Sequence, residues 1–490
     1  MFVKKENKDE CKRLLDKVVS NGIDFKVNQK FLKKIYDKNK KDELLEISKS
    51  GIEMEKLIDD FNTEIVPYCS NFSNEKFMSF PDAGNSMAGL AGSIYADMLQ
   101  QNMINSTFCA PIATYLEISV INCLRKVVGY KTSKINNIWD VGGIITYGGT
   151  GSNSTAMMLA RENHKNNTME KGVTNPEDFV TIIPKGIGHY SIKSACMWLG
   201  IGNNVIEVET NEFKYNLKEL EKTLLLHKGK VMCVVAYVGD SRTMTIDNLE
   251  EVSKLVKSID KNIWLHADAC HGFSLAFSEK LKQKIKGIEN FDSISTDPHK
   301  VLDLPYCLSA LLVKDPQKFK LITSTSDLIM QEDYAFGQIT PFIGSKSWVS
   351  LKLWFVLQNL GLDGIAKMIE DRMEMAQKLK IMVQNNHDLV LLNAVEMNSV
   401  VFMYAPKNIA NNVDFLNKVN KEIHDRIYKN GEYHLHQFSI PDNFGVIKKD
   451  VTLYPLRYMS GNPNITEKSL KEMLDCVIKT GSEVLNEWSL

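Results

Sequence analysis

The sequence predicts an α/β fold, an open and mainly parallel sheet covered by helices on both faces. Three observations carry this. Between residues 140 and 345, short apolar runs alternate with amphipathic helical stretches, the pattern of strands joined by crossover helices. Residues 347–490 change character to long helical patterns divided by two strand candidates, which predicts a smaller α+β C-terminal domain. The first 75 residues are polar and helical in spacing, so the predicted organisation is a helical segment over 1–75, a large domain over 76–346 and a small domain over 347–490.

Within the N-terminal segment, Lys41–Ile47 has apolar residues at helical spacing, and the lysine-rich stretches read as solvated helix faces. Such an arm suits wrapping a partner subunit. Phe77–Gly84 is a turn-rich loop, followed by a helical stretch rich in Ala, Met and Leu and then by Pro111 at a predicted helix start. The predicted strands are Gly143–Thr146, Phe179–Ile183, Asn204–Val208, Val231–Val238, Ile263–His266, Ser293–Ser295 and Ser309–Val313. Helices are expected at Leu217–Leu226 and Leu249–Ile259 between them, and at Ser347–Asn359, Ile365–Val383, Val413–Asn430 and after Thr466 beyond them. The C-terminal strand candidates are Ser399–Tyr404 and Val451–Tyr458.

Composition narrows the function classes. The 490 residues are 44% hydrophobic and 24% charged, ordinary for a globular protein of two or three domains. With 59 basic and 60 acidic residues the net charge is -1, which gives no electrostatic case for nucleic acid or a membrane surface. No apolar run reaches the roughly 20 residues of a membrane helix, and the charged start Lys4-Lys5-Glu6 is unlike a secretory signal. Nine scattered cysteines without a Cys-x-x-Cys pair fit reduced thiols, so a cytoplasmic setting is expected.

Four segments carry chemistry-bearing residues. Tyr147-Gly148-Gly149-Thr150 follows a strand and leads into a helix, where glycines admit an anion and free N–H groups meet it. The sequence matches neither the Walker A pattern nor G-x-G-x-x-G, and a plain glycine turn is the alternative. His189 stands at a helix start, suited to lying against an aromatic ring, to acid–base work, or to a structural role. Asp268 ends a buried strand and needs a cationic partner, which a pyridinium nitrogen would be; a metal held by His266, Asp268 and His271 is the rival. Lys300, in Asp297-Pro298-His299-Lys300, sits on a turn at a strand end. A lysine there can carry an aldehyde as a Schiff base if it is partly neutral or already condensed. Phosphate cradle, ring-stacking histidine, pyridinium-pairing aspartate and Schiff-base lysine follow in that order, and one cofactor, pyridoxal 5'-phosphate, explains all four.

On these residues the chain resembles the fold type I pyridoxal-phosphate enzymes, and within them the group II amino-acid decarboxylases acting on aromatic amino acids, glutamate, histidine or tyrosine. The resemblance runs from about Phe77 to Thr466. It rests on Pro111-x5-Glu117, Gly148-Gly149-Thr150, His189, Asp268-Ala269-Cys270-x-Gly272, Asp297-x-His299-Lys300, and Leu456-Arg457 with Asn462. It implies a seven-stranded, mainly parallel sheet and decarboxylation of an L-amino acid through a Lys300 Schiff base and a ring-delocalised carbanion. Asp268 would pair with the ring nitrogen, with His189 on one ring face and Cys270 on the other. Gly149, Thr150 and His299 are implied phosphate contacts. Gly344 and Ser345, in Ile343-Gly344-Ser345-Lys346, resemble the segment that reaches the phosphate from the neighbouring subunit of an obligate homodimer. Tyr334 matches the mobile-loop proton donor, and a phenylalanine there would have suggested an aldehyde-forming relative. Phe80, Pro81 and Asp82 lie in the loop that contacts the substrate side chain.

The chain also departs from that pattern. Gly239-Asp240-Ser241-Arg242 stands where Gly-Thr-Thr is common, Tyr190 follows His189 where serine is usual, and His271 replaces a residue that is often aromatic or small. Asp82 and Asp240 suggest a substrate with a second positive group, unless they face solvent or pair locally. Another carbon–carbon lyase, or an oxidative aldehyde-forming enzyme on the same scaffold, is the alternative activity.

Overall fold

The computed structural model describes residues 2–28, 30–32, 34, 47, 49–323, 333–459 and 461–488. Its centre is a seven-stranded sheet of β1 (Gly143–Thr146), β2 (Val180–Pro184), β3 (Val205–Val208), β4 (Val231–Tyr237), β5 (Trp264–Asp268), β6 (Ser293–Thr296) and β7 (Ser309–Val313). The spatial order is β1-β7-β6-β5-β4-β2-β3. Only β7 runs against its neighbours; it pairs antiparallel with β1 and β6, while the other pairings are parallel. Every residue of β4 is buried, as a central parallel strand covered on both faces requires. Each fully buried valine there contributes roughly 1.5–3 kcal/mol.

Helices α1 (Lys8–Asn28) and α2 (Met54–Asp60) form the N-terminal arm; the predicted helical stretch Lys41–Ile47 lies, but for exposed Ile47, outside the described residues. Next come α3 (Met87–Leu99), α4 (Ala113–Val127), α5 (Gly149–His164), α6 (Tyr190–Trp198), α7 (Leu217–Leu226) and α8 (Leu249–Ile259). Helix α5 starts at Gly149, so the glycine segment is its first turn rather than a loop before it. The run expected as two helices near 347–383 is α9 (Ser350–Gln384), broken at Gly361, whose φ of 63° lies outside the helical region. A second, four-stranded antiparallel sheet follows, of β8 (Leu389–Leu391), β9 (Ser399–Tyr404), β10 (His436–Gln437) and β11 (Leu456–Met459), in the order β8-β9-β11-β10. The predicted strand Val451–Tyr458 is interrupted by Tyr454-Pro455, and only its second half joins this sheet. Helices α10 (Val413–Lys429) and α11 (Glu467–Trp488) complete the C-terminal part.

Candidate active site

The C-terminal ends of β4, β5 and β6 and the first turn of α5 surround a cavity of ≈ 170 Å³. Asp268 reaches it from the last residue of β5, and Lys300 from the single helical turn Pro298–Val301 after β6. Pro298 starts that turn and fixes the exit from the strand. His189 caps α6 and lines the same cavity, as do Gly149, Thr150, Cys270 and His299. The four segments read from the sequence thus converge, and both Asp268 and Lys300 stand on one side of the sheet.

Lys300 Nζ lies 2.8 Å from Asp297 Oδ2. Burial opposes the ammonium, but the Asp297 carboxylate outweighs it and holds the lysine above its ordinary range. The uncondensed amine is therefore an ammonium, and the neutral-amine condition is not met. For Asp268, burial pushes the carboxyl up. The nearby His189 and His266 rings and side-chain hydrogen bonds from Cys270 and Asn153 outweigh burial and leave it below the ordinary value. No lysine or arginine among the described residues pairs with it, so a buried anion faces the cavity. Burial lowers His189, which favours the neutral imidazole. Its backbone N–H donates to the Tyr237 hydroxyl at 2.7 Å. His299 Nδ1 bonds the Leu308 carbonyl at 2.6 Å, which orients that ring at the cavity edge.

Gly149 shows the closest fit. A Cβ there would lie 2.7 Å from Cys270 Sγ and 2.9 Å from Asp297 Oδ2. The Gly151 amide turns back to the Gly148 carbonyl at 3.0 Å, which leaves the Gly149 and Thr150 amides beside this narrow gap as a cradle for an anionic ester. The bare cradle, the uncompensated Asp268 carboxylate and the adjacent lysine fit pyridoxal phosphate. A metal fits less well. His266 bonds Ser293 at 2.8 Å through Nδ1 and Asn153 at 3.0 Å through Nε2, so both its ring nitrogens are committed. His271 is buried at the cavity wall with Nδ1 unpartnered.

The departures sort themselves by geometry. Asp240 is buried and accepts from the amides of Arg242, Thr243 and Thr245 and from the Thr243 hydroxyl. It is a loop bracket, and the expectation that it meets a cationic substrate is corrected: its lone pairs are spent on backbone. Nor does it pair with the Arg242 guanidinium, which donates instead to the Gly186 carbonyl at 3.0 Å. Asp82 is half-buried near Lys300 and Tyr306, with Oδ1 buried and unpartnered and its carboxyl pushed up, chiefly by burial. Tyr190 lines the cavity, its ring centroid 4.4 Å from that of His189. Pro81 packs so closely on Gly461 that a Cβ on the glycine would lie 2.2 Å from Pro81 Cα, which pins the loop carrying Phe80 and Asp82.

Other expected residues lie away from this chain's own cavity. Tyr334 packs edge-on against Tyr115, ring centroids 5.4 Å apart, and is not among the cavity-lining residues; Gln331 and Glu332 before it lie outside the described residues. Gly344 and Ser345 are exposed, and the Gly344 Cα has no neighbour on its open side. Next to them Lys346 is fully buried against Glu117, whose other oxygen accepts from Ser350 at 2.8 Å. That ion pair explains Glu117 in Pro111-x5-Glu117.

Sequence reasoning missed Arg457 and Asn153 as site residues. Arg457 was visible only as part of a motif. Its guanidinium is fully buried between the rings of Phe80 and Phe438, 6.0 and 5.1 Å from their centroids. It donates to His436 at 2.8 Å and to the carbonyl of Ser241, a cavity residue, while Nε has no acceptor. Burial lowers it to about 10, and among the described residues no carboxylate pairs with it. Asn153 stood inside the glycine segment with no signal to mark it.

Residues 37–405 match the family model described as the pyridoxal-dependent decarboxylase conserved domain. An aromatic-L-amino-acid decarboxylase of Bacillus atrophaeus is 25% identical over 446 residues, 88% of this chain and 86% of the relative. An L-2,4-diaminobutyrate decarboxylase of Acinetobacter baumannii is 26% identical over 76% of this chain and 74% of its own length. Among solved structures, mouse CSAD in apo form superposes with a TM-score of 0.85 at 21% identity, covering 96% of this chain and 99% of that one. Oryza sativa TDC with PLP and tryptamine gives 0.88 at 18% identity, covering 99% and 100%. The chain belongs to the pyridoxal-dependent decarboxylase family and has the fold type I architecture.

Proposed function

We propose that this pyridoxal-phosphate-dependent decarboxylase converts an L-amino acid to its amine and carbon dioxide, with Lys300, Asp268 and His189 as the working groups. The observation that carries the reading is the convergence of those three side chains on one cavity roofed by the first turn of α5. The bound cofactor supplies a cationic ring that takes up the electron pair left when carbon dioxide departs. Asp268 keeps that ring nitrogen protonated by presenting a buried negative charge. The amides of Gly149 and Thr150, with His299, would hold the phosphate, and Cys270 and His189 would lie beside the ring. Lys300 would hold the cofactor aldehyde, and as a free ammonium it is stabilised by Asp297. Arg457 is the unpaired buried cation next to the cavity and takes the substrate carboxylate.

The chain acts as a homodimer in this reading. Gly344 and Ser345 are exposed and sit apart from their own cavity, as a phosphate contact made across an interface would be. The apolar faces of α1 (Val18, Val19, Ile23) and α3 (Ile94, Tyr95, Met98) are likewise exposed. Tyr334 would then protonate the product carbon in the partner's cavity. All nine cysteines are free, which supports a cytoplasmic setting, and among the described residues no helix is long and apolar enough to cross a membrane.

The test is turnover of a panel of aromatic, acidic and basic L-amino acids with products identified by mass. Amine plus carbon dioxide is expected, abolished in Lys300→Ala. An aldehyde with ammonia as the main product would refute the assignment, and unchanged amine formation in Tyr334→Phe would remove Tyr334 as the donor.

A further inference from the structure

Asn153 lies 1% exposed in the second turn of α5, between β5 and α6. One Nδ2 hydrogen donates to Asp268 Oδ2 and the other to Ser191 Oγ, both at 2.9 Å. Its Oδ1 meets His266 Nε2 at 3.0 Å. All three partners are buried, and so are Ser293 and Trp264 beyond them.

Hydrogen-bond polarity along this chain follows from Asp268. A carboxylate only accepts, so the Asn153 amide nitrogen must face it and the carbonyl oxygen must face His266. His266 therefore donates from Nε2. Burial holds His266 down to about 4, so the ring is neutral and Nδ1 is an acceptor. Ser293 Oγ then donates to Nδ1 and accepts from the Trp264 indole N–H, both at 2.8 Å. On the other branch, Ser191 accepts from Asn153 and donates to His189 Nδ1 at 2.7 Å. The Ser191 backbone N–H points at the same nitrogen, 3.3 Å away, and an N–H only donates. His189 Nδ1 is an acceptor twice over, so the proton of the neutral ring sits on Nε2.

We propose that Asn153 is the positioning residue that keeps Asp268 ionised and, through the Ser191 hydroxyl, reinforces the Nε2–H tautomer of His189. This rests on the reading of Asp268 as the counter-charge of the cofactor ring. The amide cannot rotate to serve another arrangement, because rotation would aim its oxygen at Asp268 and its nitrogen at the His266 N–H. A single side chain thus bears on both the counter-charge of the ring nitrogen and the histidine beside the ring.

The test compares Asn153→Asp, Ser191→Ala and Asp268→Asn by equilibrium titration of each apoprotein with pyridoxal phosphate across pH, alongside the absorbance of the loaded forms. Asn153→Asp conserves shape but removes both donors and adds a second negative charge beside Asp268. Its affinity is expected to fall roughly 10- to 100-fold at pH 8, the loss of a hydrogen bond to a charged group. The deficit relative to wild type should shrink as pH falls, because the protonated introduced carboxyl again donates to Asp268; a role in packing alone would give no such recovery. Ser191→Ala leaves the Asp268 branch intact and removes only the hydroxyl donor to His189, so its affinity should fall less than that of Asn153→Asp and without the recovery at low pH. If Asn153→Asp does not fold, Asn153→Ser offers a donor of smaller volume and is expected to lose affinity without pH recovery. Wild-type affinity in either Asn153 variant, or a deficit in Asn153→Asp that does not change with pH, overturns the proposal. Unchanged affinity in Asp268→Asn would instead overturn the reading of Asp268 itself.

Discussion

Gly149→Ala sets two effects of known sign against each other. Gly149 is the first residue of α5, and its φ carries no left-handed penalty, so alanine gains helix propensity, roughly 1 kcal/mol. The new methyl would meet Cys270 Sγ at 2.7 Å, about 1 Å inside ordinary contact. It would also meet both Asp297 oxygens, at 2.9 and 3.0 Å. Asp297 cannot yield freely, since Lys300 and Ser309 both bond it. Overpacking of this kind costs roughly 1–3 kcal/mol. In the apoprotein the cavity lets Cys270 move aside, so clash and propensity nearly cancel and the thermal midpoint should stay within a few degrees of wild type. With the cofactor seated there is no room to retreat, and the cost falls on binding, roughly 5- to 150-fold in the dissociation constant of pyridoxal phosphate. Gly151→Ala, one residue beyond Thr150, is the control. Its nearest neighbour would be Thr146 Cβ at 3.5 Å, ordinary contact, and affinity should hold within about twofold. Fluorescence titration of apoprotein measures both. Wild-type affinity in Gly149→Ala would refute the assignment of this turn as the anion cradle.

Two further outcomes follow from buried charge. Lys346→Met strands Glu117 in a dry interior and should lower the unfolding free energy by about 3–5 kcal/mol, whereas Lys346→Met with Glu117→Leu should recover most of it; urea denaturation distinguishes these, and equal losses in the two would count against the pair. His266, held by burial to about 4 when folded against an ordinary value near 6.5, binds its proton more readily unfolded. Its stabilising contribution is complete above pH 6.5 and is lost as pH falls through the window down to about 4, a loss of about 2 kcal/mol between pH 7.5 and 5. His266→Gln should flatten that part of the urea-midpoint profile, and an unchanged slope would mean His266 is protonated in the fold.

The sequence made legible what depends on one-dimensional pattern. Strand–helix alternation gave the large sheet, because crossover connections enforce that period, and residue type at strand ends gave Asp268 and Lys300. What stayed hidden depends on who faces whom. Antiparallel β7 looks like any other apolar run, since strand direction leaves no mark on composition. Asp240 and Asp82 are the same residue type in similar turn-rich loops, and the sequence leaves a cationic substrate group, solvent and local pairing open for both. One spends its oxygens on four donors of its own loop, while the other keeps an oxygen unpartnered beside Lys300. No local pattern separates them, because the difference is the supply of backbone N–H groups within reach.

The same limit explains Arg457 and Asn153, and it points to a general asymmetry in this site. The residues proposed to bond the cofactor lie in short motifs, because a turn or a strand end must hold them at fixed offsets. Residues that set the protonation of those groups come from elements far apart in the chain: Asn153 meets Asp268 across 115 positions and Ser191 across 38. Their identity is fixed by donor–acceptor parity, which only coordinates reveal. Parity is also unforgiving, since an amide has one carbonyl oxygen and here both its orientations are not equivalent. A change at Asn153 therefore reaches two cofactor-flanking groups at once, whereas a change at Ser191 reaches one. The relative size of those two effects on cofactor affinity separates a wired pair from two independently held side chains.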